Sequence, residues 1–218
     1  ALIEPIVLYK KARAFAAAHF VDLIQQRRKV ASNVRSTLDR PLNFFAQETL
    51  REQLQLLDKK NVSNGSVVII ENQTGNVLAL VGSRDYFDRQ SGQVNGALAA
   101  RSAGSIFKPF TYLLALEKGW TPASMLADIP VDFPTATGVF SPVNYDRRFR
   151  GPVLLREALA NSLNVPAVKL LDQIGGATVL HSCLRRLGLS TLESSATHYG
   201  LGLTIGNSEA RLLELANA

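Results

Sequence analysis

Ser105-Ile106-Phe107-Lys108 sets a hydroxyl three residues ahead of an amine at the predicted start of a helix. Three residues is close to one helical turn, so both groups project from one face. An amine held there uncharged can take the serine proton, which turns an alcohol into an acylating nucleophile. A Ser-x-x-Lys match arises about once by chance in a chain of this length, so its setting matters. Gly104 permits close backbone approach, Pro109 suits a first turn, and Phe110, Leu113, Leu114 and Leu116 give the helix an apolar face. A capping serine followed by a solvated lysine is the competing reading, and on these residues alone the two weigh equally.

Ser162-Leu163-Asn164 is the second group with chemical potential. It falls in a short connection between helices predicted over 152–160 and 165–174. An asparagine there offers a donor and an acceptor to an amide substrate, and a serine can relay a proton. Simple capping of the second helix, with Pro166 in its first turn, is the alternative and the preferred one for this motif in isolation.

The elements that must position these residues follow from hydrophobic period and punctuation. Residues 5–30 are alanine-rich with helical period, Ala14, Phe15, Ala18 and Leu23 sharing one face. Residues 35–39 read as extended. Pro41 opens a second helix to about Leu57, its apolar positions Phe44, Phe45, Leu50, Leu54 and Leu57. The runs 66–71 and 77–81 are β-branched or aliphatic and flank Asn72-Gln73-Thr74-Gly75-Asn76, a hairpin signature. Both faces of that hairpin are apolar, which predicts cover by helices and an α/β layered domain. Residues 120–151 read as a long irregular region because Pro122, Pro130, Pro134 and Pro142 exclude helix. Its aromatic residues, Trp120, Phe133, Phe140, Tyr145 and Phe149, predict a packed segment bordering a groove. Helices over 152–160, 165–174 and 177–187 close the predicted order, the last two ended by Gly175-Gly176 and Gly188.

Composition narrows the function classes. The chain has 218 residues, 46% hydrophobic and 19% charged, enough for a real core. No apolar run reaches eighteen residues, so no membrane span is read, and any anchor is expected outside this chain. The net charge of +6 is concentrated in residues 1–60, with eleven Lys/Arg against six Asp/Glu. Lys10-Lys11 and Arg27-Arg28-Lys29 read as a solvated helix face, and the absence of interleaved aromatics gives no signal for nucleic acid. Cys183 is the single cysteine, within a helical apolar pattern, which excludes internal disulfides and thiolate clusters and favours an inert thiol. His19, His181 and His198 share no ligand spacing, so neither a metal nor another cofactor is expected.

Taken in order, the motifs resemble the transpeptidase domain of bifunctional, class A penicillin-binding proteins, most closely their C-type branch. The resemblance spans about residues 34–218 and includes Ser36-Thr37-Leu38-Asp39, residues 74–82, Gly92-Gln93-Val94-Asn95, residues 101–110, Asn144-Tyr145-Asp146 and residues 158–168. It implies an α/β fold of the β-lactamase/transpeptidase type, an antiparallel sheet with a helical subdomain, of which only the first two strands are readable. It implies a helical linker over 1–60, following a glycosyltransferase domain, and the N-terminal part of the transpeptidase domain over 61–218.

By the same resemblance, Ser105 is the nucleophile, Lys108 its base, Ser162 a proton relay and Asn164 the holder of the donor peptide. The implied substrates are peptidoglycan stem peptides, the implied inhibitors β-lactams, and the implied location the periplasmic side of the bacterial inner membrane. One departure stands out: no Lys-Thr-Gly or Lys-Ser-Gly triad occurs in the sequence. The resemblance then implies a fragment that stops short of the triad, with little turnover and an open apolar edge on the 66–81 hairpin. A D,D-carboxypeptidase or β-lactamase on the same scaffold, with Asp128, Asp132 or Asp146 activating water, and a noncatalytic peptidoglycan- or β-lactam-binding module are the alternatives.

Overall fold

The computed structural model describes residues 16–27, 33–135 and 138–218. The chain divides into two units, Ala1–Ala97 and Leu98–Ala218. In the first, α1 (Ala18–Arg27) is the described part of the helix expected over 5–30. Lys10, Lys11, Ala14, Phe15, Arg28 and Lys29 lie outside the described residues. Helix α2 (Arg40–Leu56) begins where Pro41 predicts, and the Asp39 carboxylate accepts from the Leu42 N–H at 2.9 Å as its N-cap. Its buried residues are Asn43, Ala46 and Leu54, with Leu42 and Leu50 half-buried beside them. Phe44 and Phe45, read as part of the apolar face, are instead exposed, because a stripe through 43, 46, 50 and 54 turns positions 44 and 45 outward.

Strands β1 (Val67–Ile70) and β2 (Val77–Val81) form the expected antiparallel hairpin, with Val67 opposite Val81 and Ile69 opposite Ala79. That face packs on Leu42, Ala46 and Leu50 of α2. The hairpin's edges are not both open. Asp39 N–H donates to Leu78 O at 2.9 Å, Thr37 Oγ1 to Val77 O at 2.8 Å, and Leu80 N–H to Asn43 Oδ1 at 2.9 Å. The extended residues 37–39 and a helix asparagine thus occupy the outer edge of β2, which blunts it as a template for pairing.

The second unit is built around a buried helix. After β3 (Arg101–Ser102) and a 3-10 turn, Gly104–Phe107, comes α3 (Lys108–Glu117). Residues 120–151, read as irregular, contain β4 (Met125–Asp128), β5 (Phe133–Thr135) and β6 (Gly138–Phe140), and β7 (Gly151–Leu154) precedes α4 (Leu155–Ala160). β4 pairs with β7 and β5 with β6, all antiparallel. Pro134 and Pro152 exclude helix but not a two-stranded ladder, where a missing N–H can face away from the partner. The same reason corrects the start of the helix expected at Pro152. Trp120 packs against the core and Phe133 faces Phe140 at 6.4 Å, whereas Tyr145 and Phe149 are exposed.

Helix α5 (Asn164–Gln173) buries Val165, Ala167, Val168, Leu170 and Leu171 completely. Each large aliphatic side chain so placed stabilises by about 1.5–3 kcal/mol, which makes α5 the fixed post of the unit. Helix α3, α6 (Gly176–Arg186) and a 3-10 segment, Gly200–Ile205, pack against it. The remaining elements are α7 (Ala196–Tyr199), β8 (Glu209–Ala210), which pairs with β3, and α8 (Leu212–Asn217). Among the described residues no helix is long and apolar enough to cross a membrane.

Candidate active site

Lys108 is the first residue of α3, and its side chain is almost wholly buried, with 1% exposure. Its Nζ meets Ser162 O at 2.5 Å, Asn164 Oδ1 at 2.6 Å and Ser162 Oγ at 3.1 Å. Three of the four residues singled out from the sequence therefore converge on one point. Loss of hydration lowers the Lys108 pKa from 10.5 to about 8. The amine is thus held where an uncharged fraction is present near neutral pH. In that form it donates two hydrogens and keeps a lone pair, to which the Ser162 hydroxyl can donate.

Ser105, the fourth residue, sits exposed in the 3-10 turn immediately ahead of α3. In a 3-10 turn side chains three apart eclipse, so Ser105 and Lys108 share a face more closely than in the α-helix predicted there. The Ser105 hydroxyl makes no side-chain hydrogen bond among the described residues. It precedes the buried Lys108 by three residues in the chain and stays open to solvent.

Local backbone explains the corner at 162–164. α4 ends at Ala160, and Ser162 turns the chain at φ +51°, a left-handed conformation that costs a non-glycine residue about 1 kcal/mol or more. The turn is held by Ser162 N–H donating to Leu159 O at 2.9 Å and Leu163 N–H to Ala158 O at 2.9 Å. It directs the Ser162 carbonyl and hydroxyl at Lys108. Asn164 Nδ2 donates to Val143 O at 2.9 Å, which orients the amide so that Oδ1 faces the amine.

The glycine-containing segment that runs from Gly200 to Gly206 packs against the turn that carries Ser105. Gly206 has φ +77°, and a Cβ there would stand 2.1 Å from Gly104 N and O. Ser102 Oγ donates to Gly206 O at 3.4 Å, Ala103 N–H to Ser208 O at 3.0 Å, and buried Thr111 and Thr204 share a hydrogen bond at 2.7 Å. Gly104 and Gly206 can touch only because Gly206 carries no side chain; a Cβ on Gly104 would meet nothing within 4 Å, and its φ of +53° is what favours glycine there.

The loop carboxylates considered as water activators are committed elsewhere. Asp128 is fully buried against Asn144, Asp146 pairs with Arg150 at 2.8 Å, and Asp132 accepts from Ser141 Oγ at 2.5 Å. Asn144 and Gly206 are the site-building residues that residue-type reasoning missed. Asn144 appeared only within a resembling stretch, and nothing in its neighbours' spacing marks it as buried. His19 Nε2 lies 3.0 Å from Gly92 O, burial lowering its pKa, while His181 stacks on Tyr199 and His198 meets the same ring edge-on. Cys183 is half-buried, and burial raises its thiol pKa.

Comparison with known proteins gives a consistent result. Residues 65–211 match the family described as penicillin binding protein transpeptidase domain. The chain is 32% identical over 217 residues to penicillin-binding protein 1C of Escherichia coli K12, covering 99% of this chain and 27% of that protein. It is 32% identical over 216 residues to penicillin-binding protein 1A of Neisseria cinerea, covering 87% and 26%. The chain thus spans about a quarter of the length of these curated relatives. Among solved structures, penicillin-binding protein 1A of Haemophilus influenzae superposes with a TM-score of 0.62 at 29% identity, over 69% of this chain and 22% of that one. The PonA1 protein of Mycobacterium tuberculosis in complex with penicillin V gives 0.68 at 22% identity, over 91% and 54%, a likeness of fold.

Proposed function

Because the chain belongs to the family of penicillin-binding protein transpeptidase domains, that of the class A enzymes, we propose that it carries the acylating half of a serine D,D-transpeptidase acting on peptidoglycan. The observation that supports this most is the buried amine of Lys108, gathered with Ser162 and Asn164 one turn from an exposed Ser105.

In this reading Ser105 Oγ attacks the carbonyl carbon of the penultimate D-alanine of a stem peptide while Lys108 Nζ takes its proton. The Ser105 backbone N–H receives the developing negative charge on the carbonyl oxygen. As the C–N bond to the terminal D-alanine breaks, the proton passes through the Ser162 hydroxyl to the leaving amine. An ester remains on Ser105. The amine of a second stem peptide then attacks that ester, forms the crosslinking amide, and returns a proton to the centre as Ser105 is released. Asn164 holds the amide of the donor strand. A β-lactam would acylate the same hydroxyl and leave slowly.

Residues 1–60 would form the helical linker after a glycosyltransferase domain and residues 61–218 the N-terminal part of the transpeptidase domain. The parent would act at the periplasmic side of the inner membrane, anchored by other segments. The sequence holds no Lys-Thr-Gly triad, so a cation for the substrate carboxylate and a second oxyanion donor are not supplied by such a motif here. Little or no turnover is expected from the 218-residue polypeptide on its own.

Product analysis tests the reaction type. The full natural protein, given a thioester or pentapeptide donor and a D-amino acid acceptor, is expected to release an amide product. Free acid as the only product would replace transpeptidation with hydrolysis.

A further inference from the structure

Helix α5 starts without a cap of its own. Its N-cap residue is Leu163, which has no side-chain acceptor, yet the first N–H groups of the helix need partners. Asn144, twenty residues upstream and 2% exposed, provides them: its Oδ1 accepts from Asn164 N–H at 2.9 Å and Val165 N–H at 3.2 Å. The other end of the same amide donates to Asp128 Oδ1 at 2.8 Å, Asp128 Oδ2 at 2.9 Å and Arg148 O at 2.8 Å. Asp128, at the end of β4, has no exposure and also accepts from Arg150 N–H at 3.0 Å. A carboxylate accepts only, so it forces the Asn144 NH₂ toward itself and the Asn144 oxygen toward α5. Val143, the preceding residue, supplies the carbonyl that orients the Asn164 amide toward Lys108.

We propose that Asp128 and Asn144 are a pair of positioning residues, which lock the start of α5 so that Ser162 and Asn164 keep their acceptors on the Lys108 amine. This rests on the reading of Ser105 and Lys108 given above. The pair touches no reacting atom and acts through Asn164. The charged groups around it are Arg150, whose guanidinium lies 3.9 Å from Asp128 Oδ2, and Asp146, paired to Arg150. Lys108 itself faces the uncharged Ser162 and Asn164.

The test is the second-order rate of acylation by a fluorescent penicillin, measured against pH in the full natural protein and its variants. Asn144→Ala and the isosteric Asp128→Asn are expected to slow acylation by roughly ten- to a hundredfold, the scale at which a misplacement of about 1 Å acts. Displaced acceptors stabilise the ammonium less, so the pH midpoint of acylation in the remaining folded protein moves downward. The double variant Asp128→Asn/Asn144→Asp again presents an acceptor to the helix N–H groups and a donor between the pair, and part of the lost rate returns. Should Asn144→Ala not fold, Asp128→Asn decides. Acylation within twofold of the parent in Asp128→Asn, or a loss that only follows the unfolded fraction with the midpoint unmoved, overturns the positioning role. Labelling that survives Ser105→Ala overturns the nucleophile reading instead, which keeps the two failures apart.

Discussion

At the scale of single residues, the proposed chemistry costs the fold stability. The buried amine of Lys108 is held at a pKa of about 8, against 10.5 in water. Between those values the unfolded chain binds the extra proton and the folded one does not, so this group's contribution to stability rises with pH from about 8 to 10.5. At pH 7 it is a penalty of roughly 3 kcal/mol, at about 1.4 kcal/mol per pKa unit. Acylation should rise through a midpoint near pH 8, and denaturant titrations at pH 7.5 and 9.5 should show the parent gaining more stability than Lys108→Met. Equal gains would separate the lysine from the pH effect. Ser162 carries a cost of the same kind in its backbone, being left-handed without being glycine. Ser162→Gly is expected to add up to about 1 kcal/mol to stability while slowing acylation by about 10²–10⁴-fold, read by thermal melts and penicillin labelling. A variant as fast as the parent would remove Ser162 from the proton path.

The element scale shows what a sequence can and cannot reveal. Helix starts at Pro41 and Lys108, the 67–81 hairpin and the run of helices from 164 to 186 were legible, because apolar period and the prolines and glycines at their ends state them directly. The ladders between 125 and 154 were not, since prolines that rule out helix are silent about short edge strands. Ser105, Lys108, Ser162 and Asn164 could be picked out by type and order, but the clamp on α5 could not, because Asn144 and Asp128 become a unit only when β4 and residues 143–150 fold together. The contact of Gly206 on Gly104 was equally hidden. Gly206→Ala would drive a methyl into the backbone ahead of Ser105 and strain a positive φ, so it should destabilise by more than about 1 kcal/mol and slow acylation beyond the loss of folded protein. A variant with parental melting and labelling would show that the turn has room to shift.

For the whole molecule, the chain belongs to the penicillin-binding protein transpeptidase family, and the proposed chemistry rests on one cluster in the second unit. The 218 residues correspond to about a quarter of their curated relatives, and the matched family segment, 65–211, includes Ser105, Lys108, Asp128, Asn144, Ser162, Asn164 and Gly206. The central claim is that Ser105 is the residue acylated. The most direct test is to label the full natural protein with a penicillin, digest it, and locate the adduct by mass spectrometry. The account predicts one adduct, on the peptide carrying Ser105, absent from Ser105→Ala and slowed in Lys108→Ala. An adduct on another residue, or undiminished labelling of Ser105→Ala, would contradict it.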